Sequence, residues 1–146
     1  MEIAILAAGC FWSPELKFSK LNGVIKTEVG YCGGIKPVTT YKEVCGGKTN
    51  HAEVVKIEFD EKIITYEKIL RYFFEIHDPT TLNQQGYDIG TQYRSEIFYS
   101  SEKQKKVAED LLNELNSKYS GKLVTNISKI KNYCKAEDYH QKYLEK

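Results

Sequence analysis

The chain has 146 residues, 41% of them apolar and 28% charged, with a formal net charge of +1. That length fits one domain, residues 1–146, with enough chain to bury a core. The near-neutral balance excludes the strong positive field of a nucleic-acid surface, and no run nears the roughly 18 apolar residues of a membrane helix.

EIAILAA (2–8) is a short apolar run suited to a buried strand. SPELKFSKL follows, where Ser13 suits a helix cap, Pro14 the first turn and Glu15 the positive helix end. Gly23 ends that helix, and VIKTEVGY (24–31) alternates as a strand. Residues 32–50, rich in Gly, Thr and Lys, read as a long loop with one turn of helix. EVVKIEFD (53–60) is a half-buried strand. Thr65 caps the helix TYEKILRYFFEIH, whose Tyr66, Ile69, Leu70, Phe73 and Phe74 share one apolar face, and Asp78-Pro79 stops it. A second long loop runs from Pro79 to about Tyr93, and SEIFYSS is the next strand. EKQKKVAEDLLNELNSKY is the longest helix, with Val107, Leu111, Leu112, Leu115 and Tyr119 as its buried stripe. LVTNISKI alternates again, and the tail KAEDYHQKYLEK reads as helical. The order β-α-β-β-α-β-α-β-α, with strands adjacent and no crossover helix between some of them, predicts an α+β fold. The expected form is a two-layer α/β sandwich with a ferredoxin-like core and a mixed or antiparallel sheet.

MEIAILAAG lacks the basic leader of a secretory signal, so the expected location is cytoplasmic. Cys10, Cys32, Cys45 and Cys134 are widely spaced, with no CxxC pair. Zinc wants paired ligands, so no metal is expected, and a reducing compartment would keep these groups as thiols.

Among them Cys10 stands out, in AAGCFWSPE. It follows a strand and sits just before a helix start, where backbone amides favour a thiolate. Phe11 and Trp12 come next, and Trp12 is the only tryptophan. Two such rings beside a thiol would make apolar pocket walls suited to a methyl group. Glu53 of HAEVV opens a strand among apolar residues; a carboxyl held against aromatics has a raised pKa and can donate a proton near neutrality. The loop LNQQGYDIGTQYRS supplies Asp88, Gln92, Tyr93 and Arg94, and TTYKEVC supplies Tyr41. Two other readings stay open on these residues alone. Cys10 with His51 or His140 would make a cysteine hydrolase, and a Phe11/Trp12 pocket without catalysis would make a binding module for methionine-rich peptides.

GCFW with Glu15 three residues on, GYCGG, TYKEVCGG, HAEVV, FFEIHDPTTLNQQGYDIGTQYRS and AEDYHQKYL occur together in this order. The combination resembles the methionine sulfoxide reductase A family, over about Ile3 to Leu144. The resemblance implies reduction of methionine S-sulfoxide, free and in peptides, as repair after oxidative damage. It implies Cys10 as nucleophile, left as a sulfenic acid when methionine departs. It implies Phe11 and Trp12 around the substrate methyl, Glu53 as proton donor, and Tyr41 and Tyr93 as hydrogen-bond donors to the sulfoxide oxygen. Asp88 would orient the polar end of the site, and His140 would join the substrate-binding residues. No cofactor is implied, because a thiol supplies the electrons. Many relatives carry a resolving cysteine in a glycine-rich C-terminal tail; this chain ends soon after AEDYHQKYL. The expectation is therefore a one-cysteine cycle, with an external thiol as reductant: thioredoxin, glutaredoxin with glutathione, or dithiothreitol. Cys134, Cys45 and Cys32 are the internal alternatives. A monomer is expected, with a disulfide-linked dimer as the alternative. Two departures stand out: Asn50 replaces a usual glycine before HAEVV, and Ser13-Pro14 replace the usual small pair after GCFW.

Overall fold

The computed structural model describes all residues, Met1–Lys146. Strand β1 (Glu2–Ala8) is followed by helix α1 (Trp12–Ser19), β2 (Val24–Cys32), the short helix α2 (Tyr41–Cys45) and β3 (Ala52–Phe59). Helix α3 (Tyr66–Ile76) leads to a tiny hairpin, β4 (Gln84–Gln85) and β5 (Asp88–Ile89). Then come β6 (Ser95–Tyr99), α4 (Glu102–Asn116), β7 (Asn126–Lys129) and β8 (Cys134–Lys135). The main sheet runs β7-β6-β1-β3-β2-β8. Its inner four strands, with α1 and α3, form the βαββαβ unit in the order β6-β1-β3-β2, all antiparallel. This is the expected ferredoxin-like core. Strand β7 adds in parallel beside β6, which makes the sheet mixed.

One face of the sheet carries Leu6, Val29, Tyr31, Val55, Ile57 and Phe59, covered by Phe18 of α1, Ile69, Leu70 and Phe73 of α3, and Leu111 of α4. The other face holds the smaller cluster Ile5, Ala7, Cys32, Ala52, Val54 and Phe98, packed by Ile3, Ile130 and Tyr133 rather than by a helix. Two layers result. The α3 stripe is buried as its spacing predicts. In α4 the fully buried residues are Gln104, Ala108 and Leu111; Val107, Leu112 and Leu115 are only partly covered. Gln104 is buried because its amide is used, donating to the Ile3 carbonyl at 2.8 Å and accepting from the Ser100 N–H at 2.9 Å. No helix is long and apolar enough to cross a membrane.

Three local expectations change. Helix α1 starts at Trp12, so Ser13 lies inside its first turn and caps nothing; Phe11 is the capping residue and offers no side-chain cap. The polar loop after Pro79 is not bare but contains the β4–β5 hairpin and a 3-10 turn at Thr91–Tyr93. The tail is not an α-helix: it adds β8 to the sheet edge and continues through 3-10 turns at Asp138–His140 and Tyr143–Glu145. Its polar groups go to neighbours instead of up its own axis. The Gln141 side chain acts as a strand edge, its Oε1 accepting from the Val29 N–H and its Nε2 donating to the Val29 carbonyl, both at 2.9 Å. Asn50 takes φ +60, the left-handed conformation that a glycine would otherwise supply and that Asn tolerates best.

Candidate active site

The chain leaves β1, turns at Gly9 with φ +89, and enters α1 two residues after Cys10. A helix start leaves backbone N–H groups without partners. Here two of them find partners across the turn. The Phe11 N–H donates to Glu53 Oε1 at 3.2 Å, and the Trp12 N–H meets the Cys10 sulfur. The helix start therefore faces both the thiol and the carboxyl. Gly9 also lets the second polar loop close over this turn, since a Cβ there would lie 2.6 Å from Gln85 Cγ. Gln85 is held in turn, its Oε1 accepting from the Asp78 N–H at 3.0 Å and its amide donating to the Asp78 carbonyl.

Glu53 comes from β3, opposite Tyr31 of β2, and is 1% exposed. Burial pushes its carboxyl up to about 8, against the smaller lowering by the Phe11 N–H. Its second oxygen, Oε2, is buried and has no partner. With Oε1 occupied as an acceptor, Oε2 is the oxygen that carries the proton at neutral pH. Burial likewise pushes the Cys10 thiol up to about 11, outweighing the Trp12 N–H. The lowering expected from the helix start is thus present but smaller than the cost of desolvation. Negative charge on Glu53, Asp88 or Cys45 raises the thiol further.

Aromatic rings line the rest. Phe11 is 1% exposed and packs against Tyr31 at 5.8 Å and His140 at 5.2 Å between ring centres. The Trp12 indole N–H donates to His140 Nδ1 at 3.1 Å, and its ring stacks on Tyr143 at 3.9 Å and 12°. Because Nδ1 accepts, the neutral His140 ring carries its proton on Nε2, which is buried without a partner. The Tyr41 ring lies 4.5 Å from His140, and the Cys45 thiol and burial hold its phenol above the ordinary range. Tyr93 is raised to about 12 by burial and by the charges of Glu53, Cys45 and Asp88. Both phenols therefore remain hydrogen-bond donors throughout the neutral range.

The structure brings Cys10, Phe11, Trp12, Glu53, Tyr41, Tyr93 and His140 around one turn. Asp88 sits on β5 with its side chain exposed and acts on the site through its charge. Cys45 ends α2 beside Tyr41 and is exposed. Cys134 pairs opposite Tyr31, with its thiol 3.8 Å from the Thr39 carbonyl. Cys32 is fully buried in the cluster on the opposite sheet face. His51 is fully buried and spent on structure: Nδ1 accepts from the Gly34 N–H at 3.1 Å, and Nε2 lies 2.9 Å from the Lys36 carbonyl. Arg94, also buried, pairs with Glu96 at 2.5 Å. Sequence reasoning missed Tyr31 and Glu137. The Glu137 carboxyl accepts from the Tyr31 hydroxyl at 2.8 Å and from the Tyr41 N–H at 2.9 Å, joining the tail to both walls. Their only sequence signal was position, in GYCGG and AEDYH.

A partly exposed thiol, a neutral carboxylic acid and two neutral phenols stand together among aromatic rings on a ferredoxin-like sandwich, groups of the kind a thiol-dependent oxidoreductase uses. The sequence profile of the family described as peptide methionine sulfoxide reductase matches residues 2–146. The chain is 69% identical to the peptide methionine sulfoxide reductase MsrA of Pelagibacter ubique, over 100% of this chain and 99% of that one. Among solved structures, reduced Mxr1 of Saccharomyces cerevisiae superposes with a TM-score of 0.91 at 41% identity, covering 99% of this chain and 84% of that one. Mxr1 in complex with Trx2 matches at 0.68 and 29% identity, covering 97% and 84%. The chain belongs to the peptide methionine sulfoxide reductase family. It is an oxidoreductase that reduces methionine sulfoxide, a protein-repair reaction.

Proposed function

We propose that Cys10 is the nucleophile of this reduction and Glu53 its acid, acting on methionine S-sulfoxide, free or in peptides. The observation that carries this reading is the Glu53 carboxyl, buried, neutral near pH 7, and with Oε2 left without a partner beside the Cys10 turn. A sulfoxide oxygen is a poor leaving group until it is protonated. The Cys10 sulfur bonds to the sulfoxide sulfur as Oε2 gives its proton to the oxygen, and Glu53 regains a proton from the thiol. The bond from oxygen to the methionine sulfur then breaks. The oxygen departs as water with a proton lent by Glu53, that water attacks the Cys10 sulfur and returns the proton, and the bond between the two sulfurs breaks, leaving Cys10 as a sulfenic acid and freeing methionine. Thiol plus sulfoxide thus give sulfenic acid plus thioether, with no net proton taken up. Tyr41 and Tyr93 donate to the oxygen as its charge grows, and Asp88 orients the polar end. Phe11 and Trp12, backed by His140, hold the methyl group.

The sulfenic acid is reduced by an external dithiol of the thioredoxin class, in a one-cysteine cycle: two thiols give a disulfide and water, and Cys10 returns. The solved complex of Mxr1 with Trx2 supports that choice. The placement of Cys32 on the opposite face argues against its taking part, whereas Cys45 acts on the Cys10 thiol through its charge and Cys134 lies across from Tyr31. Four free thiols suit a reducing compartment such as the cytoplasm, and a monomer suffices for every group invoked.

Intact mass tests this directly. Reduced protein mixed with excess N-acetyl-methionine sulfoxide, without reductant, should gain about 16 Da and release one equivalent of methionine derivative. A loss of about 2 Da would replace the one-cysteine cycle by an internal disulfide. No mass change would remove the Cys10 reading.

A further inference from the structure

We propose that Glu15 is a positioning residue for this reaction, setting the Trp12 wall through the tail residues His140–Tyr143. The inference rests on the reading of Trp12 as part of the substrate pocket.

Glu15 lies one helical turn after Trp12 and is 2% exposed. A buried carboxyl is costly unless its oxygens are used, and an apolar residue would pack α1 on the sheet more cheaply. Both oxygens are used here. Oε2 accepts from the Thr27 hydroxyl at 2.9 Å, and Oε1 accepts from the Lys142 backbone N–H at 2.8 Å. Lys142 closes the ring, its Nζ donating to Thr27 Oγ1 at 2.8 Å. To present that N–H, Lys142 adopts φ +55, a left-handed conformation that non-glycine residues take only at a cost. The strain at Lys142 and one oxygen of the buried carboxyl meet in this contact.

That contact fixes the tail between the two residues that grip Trp12. Two positions before Lys142, His140 accepts the indole N–H; one position after it, Tyr143 stacks on the indole face. This part of the tail has no helix or strand ladder to set its register, only 3-10 turns and point ties. Gln141 fastens it to β2. The part-buried Glu15–Lys142 bond ties it at 2.8 Å to α1, the helix that carries Trp12; the Ser19–Glu145 contact is exposed and long, at 3.4 Å. A wall that touches the methyl group equally before and during reaction contributes uniform binding, so its loss appears in KM rather than kcat.

Trp12 is the only tryptophan, so its emission reports this wall without substrate. In Glu15→Ala, KM for N-acetyl-methionine sulfoxide should rise about tenfold with kcat held, and Trp12 emission should move to longer wavelength as water reaches the indole. Glu15→Gln retains an acceptor for the Lys142 N–H and should restore most of both. Lys142→Pro removes the donor together with the φ +55 conformation that presents it, leaving the core carboxyl in place, and should reproduce the Glu15→Ala changes even if Glu15→Ala itself fails to fold; Lys142→Gly, which keeps the N–H and takes φ +55 freely, should leave KM and emission unchanged. Unchanged KM and emission in Lys142→Pro, or a fall in kcat with KM unchanged, would overturn the proposal. If the native protein showed no oxygen transfer to Cys10, the functional reading would fail, while the emission of the variants would still decide whether the tie sets Trp12.

Discussion

The Phe11 N–H, on the residue that follows Cys10, donates to Glu53 Oε1 at 3.2 Å, so the start of α1 and the carboxyl of β3 are locked together beside the thiol. One hydrogen bond serves the fold and the site at once. It satisfies an orphan helix donor, and it leaves the other carboxyl oxygen free to hold a proton.

Cys10→Ser should abolish oxygen transfer while leaving the fold intact. Cys10 is only partly buried, and a hydroxyl still accepts from the Trp12 N–H. Release of methionine from N-acetyl-methionine sulfoxide, with circular dichroism as the folding control, checks this. Retained turnover would place the nucleophile elsewhere.

Glu53→Gln should cut kcat/KM by roughly 100- to 10,000-fold, the usual value of a positioned acid. In the native protein kcat/KM should fall as pH rises through about 8, where Glu53 loses its proton. The thiol, at about 11, remains protonated there, so no rising limb is expected below that fall. A maximum between the two values would mean instead that the thiolate must form before attack.

The same substitution should stabilise the protein at high pH. Glu53 is raised from 4.5 to about 8 on folding, chiefly by burial. The folded state therefore keeps a proton that the unfolded state releases. Stability is full below the unfolded value and is lost as pH rises through the folded one. Gln keeps an acceptor for Phe11 and has no proton to lose. Denaturant midpoints should agree near about pH 5 and favour the variant by on the order of a few kcal/mol near about pH 8 to 9. Equal midpoints at the higher pH would contradict the raised pKa.

Gly9→Ala should both destabilise the fold and loosen the site. A side chain at φ +89 costs about 1–2 kcal/mol, and the new Cβ would press on Gln85 Cγ. Gln85 would then release Asp78, freeing the loop that carries Asp88 and Tyr93. Amide exchange across residues 78–93 should rise, together with a lower kcat/KM.

Replacing Cys45 and Cys134 by Ser should leave turnover with dithiothreitol or thioredoxin unchanged if the external thiol meets the sulfenic acid directly. Loss of turnover with thioredoxin, with the single-turnover mass gain retained, would identify one of them as the resolving thiol.

Local pattern alone made much of this legible. Apolar runs, period-2 alternation, helical spacing and end signals marked the long strands and helices, because the buried side of each must be apolar to pack. GCFW, HAEVV and GTQYRS marked the site by residue type. The capping of α1 was read wrongly because a serine beside a helix start is an ordinary cap, and nothing local says that a carboxyl 42 residues away has taken that work. The tail was read as a helix because its composition permits one. Only the folded protein offers Val29, Glu15 and Trp12 as better partners for Gln141, Lys142 and His140.

The sequence by itself therefore determined the types of the long elements and the layered architecture, which follow from periodicity along the chain, and the residues expected around Cys10, which follow from residue chemistry together with the family resemblance. Tertiary structure alone decided protonation and position. Whether Glu53 is an acid or a surface carboxylate depends on the water removed around it, and whether Trp12 is a wall depends on a tail more than a hundred residues away. Desolvation and long-range contact are properties of three-dimensional neighbours, and no local stretch of sequence encodes them.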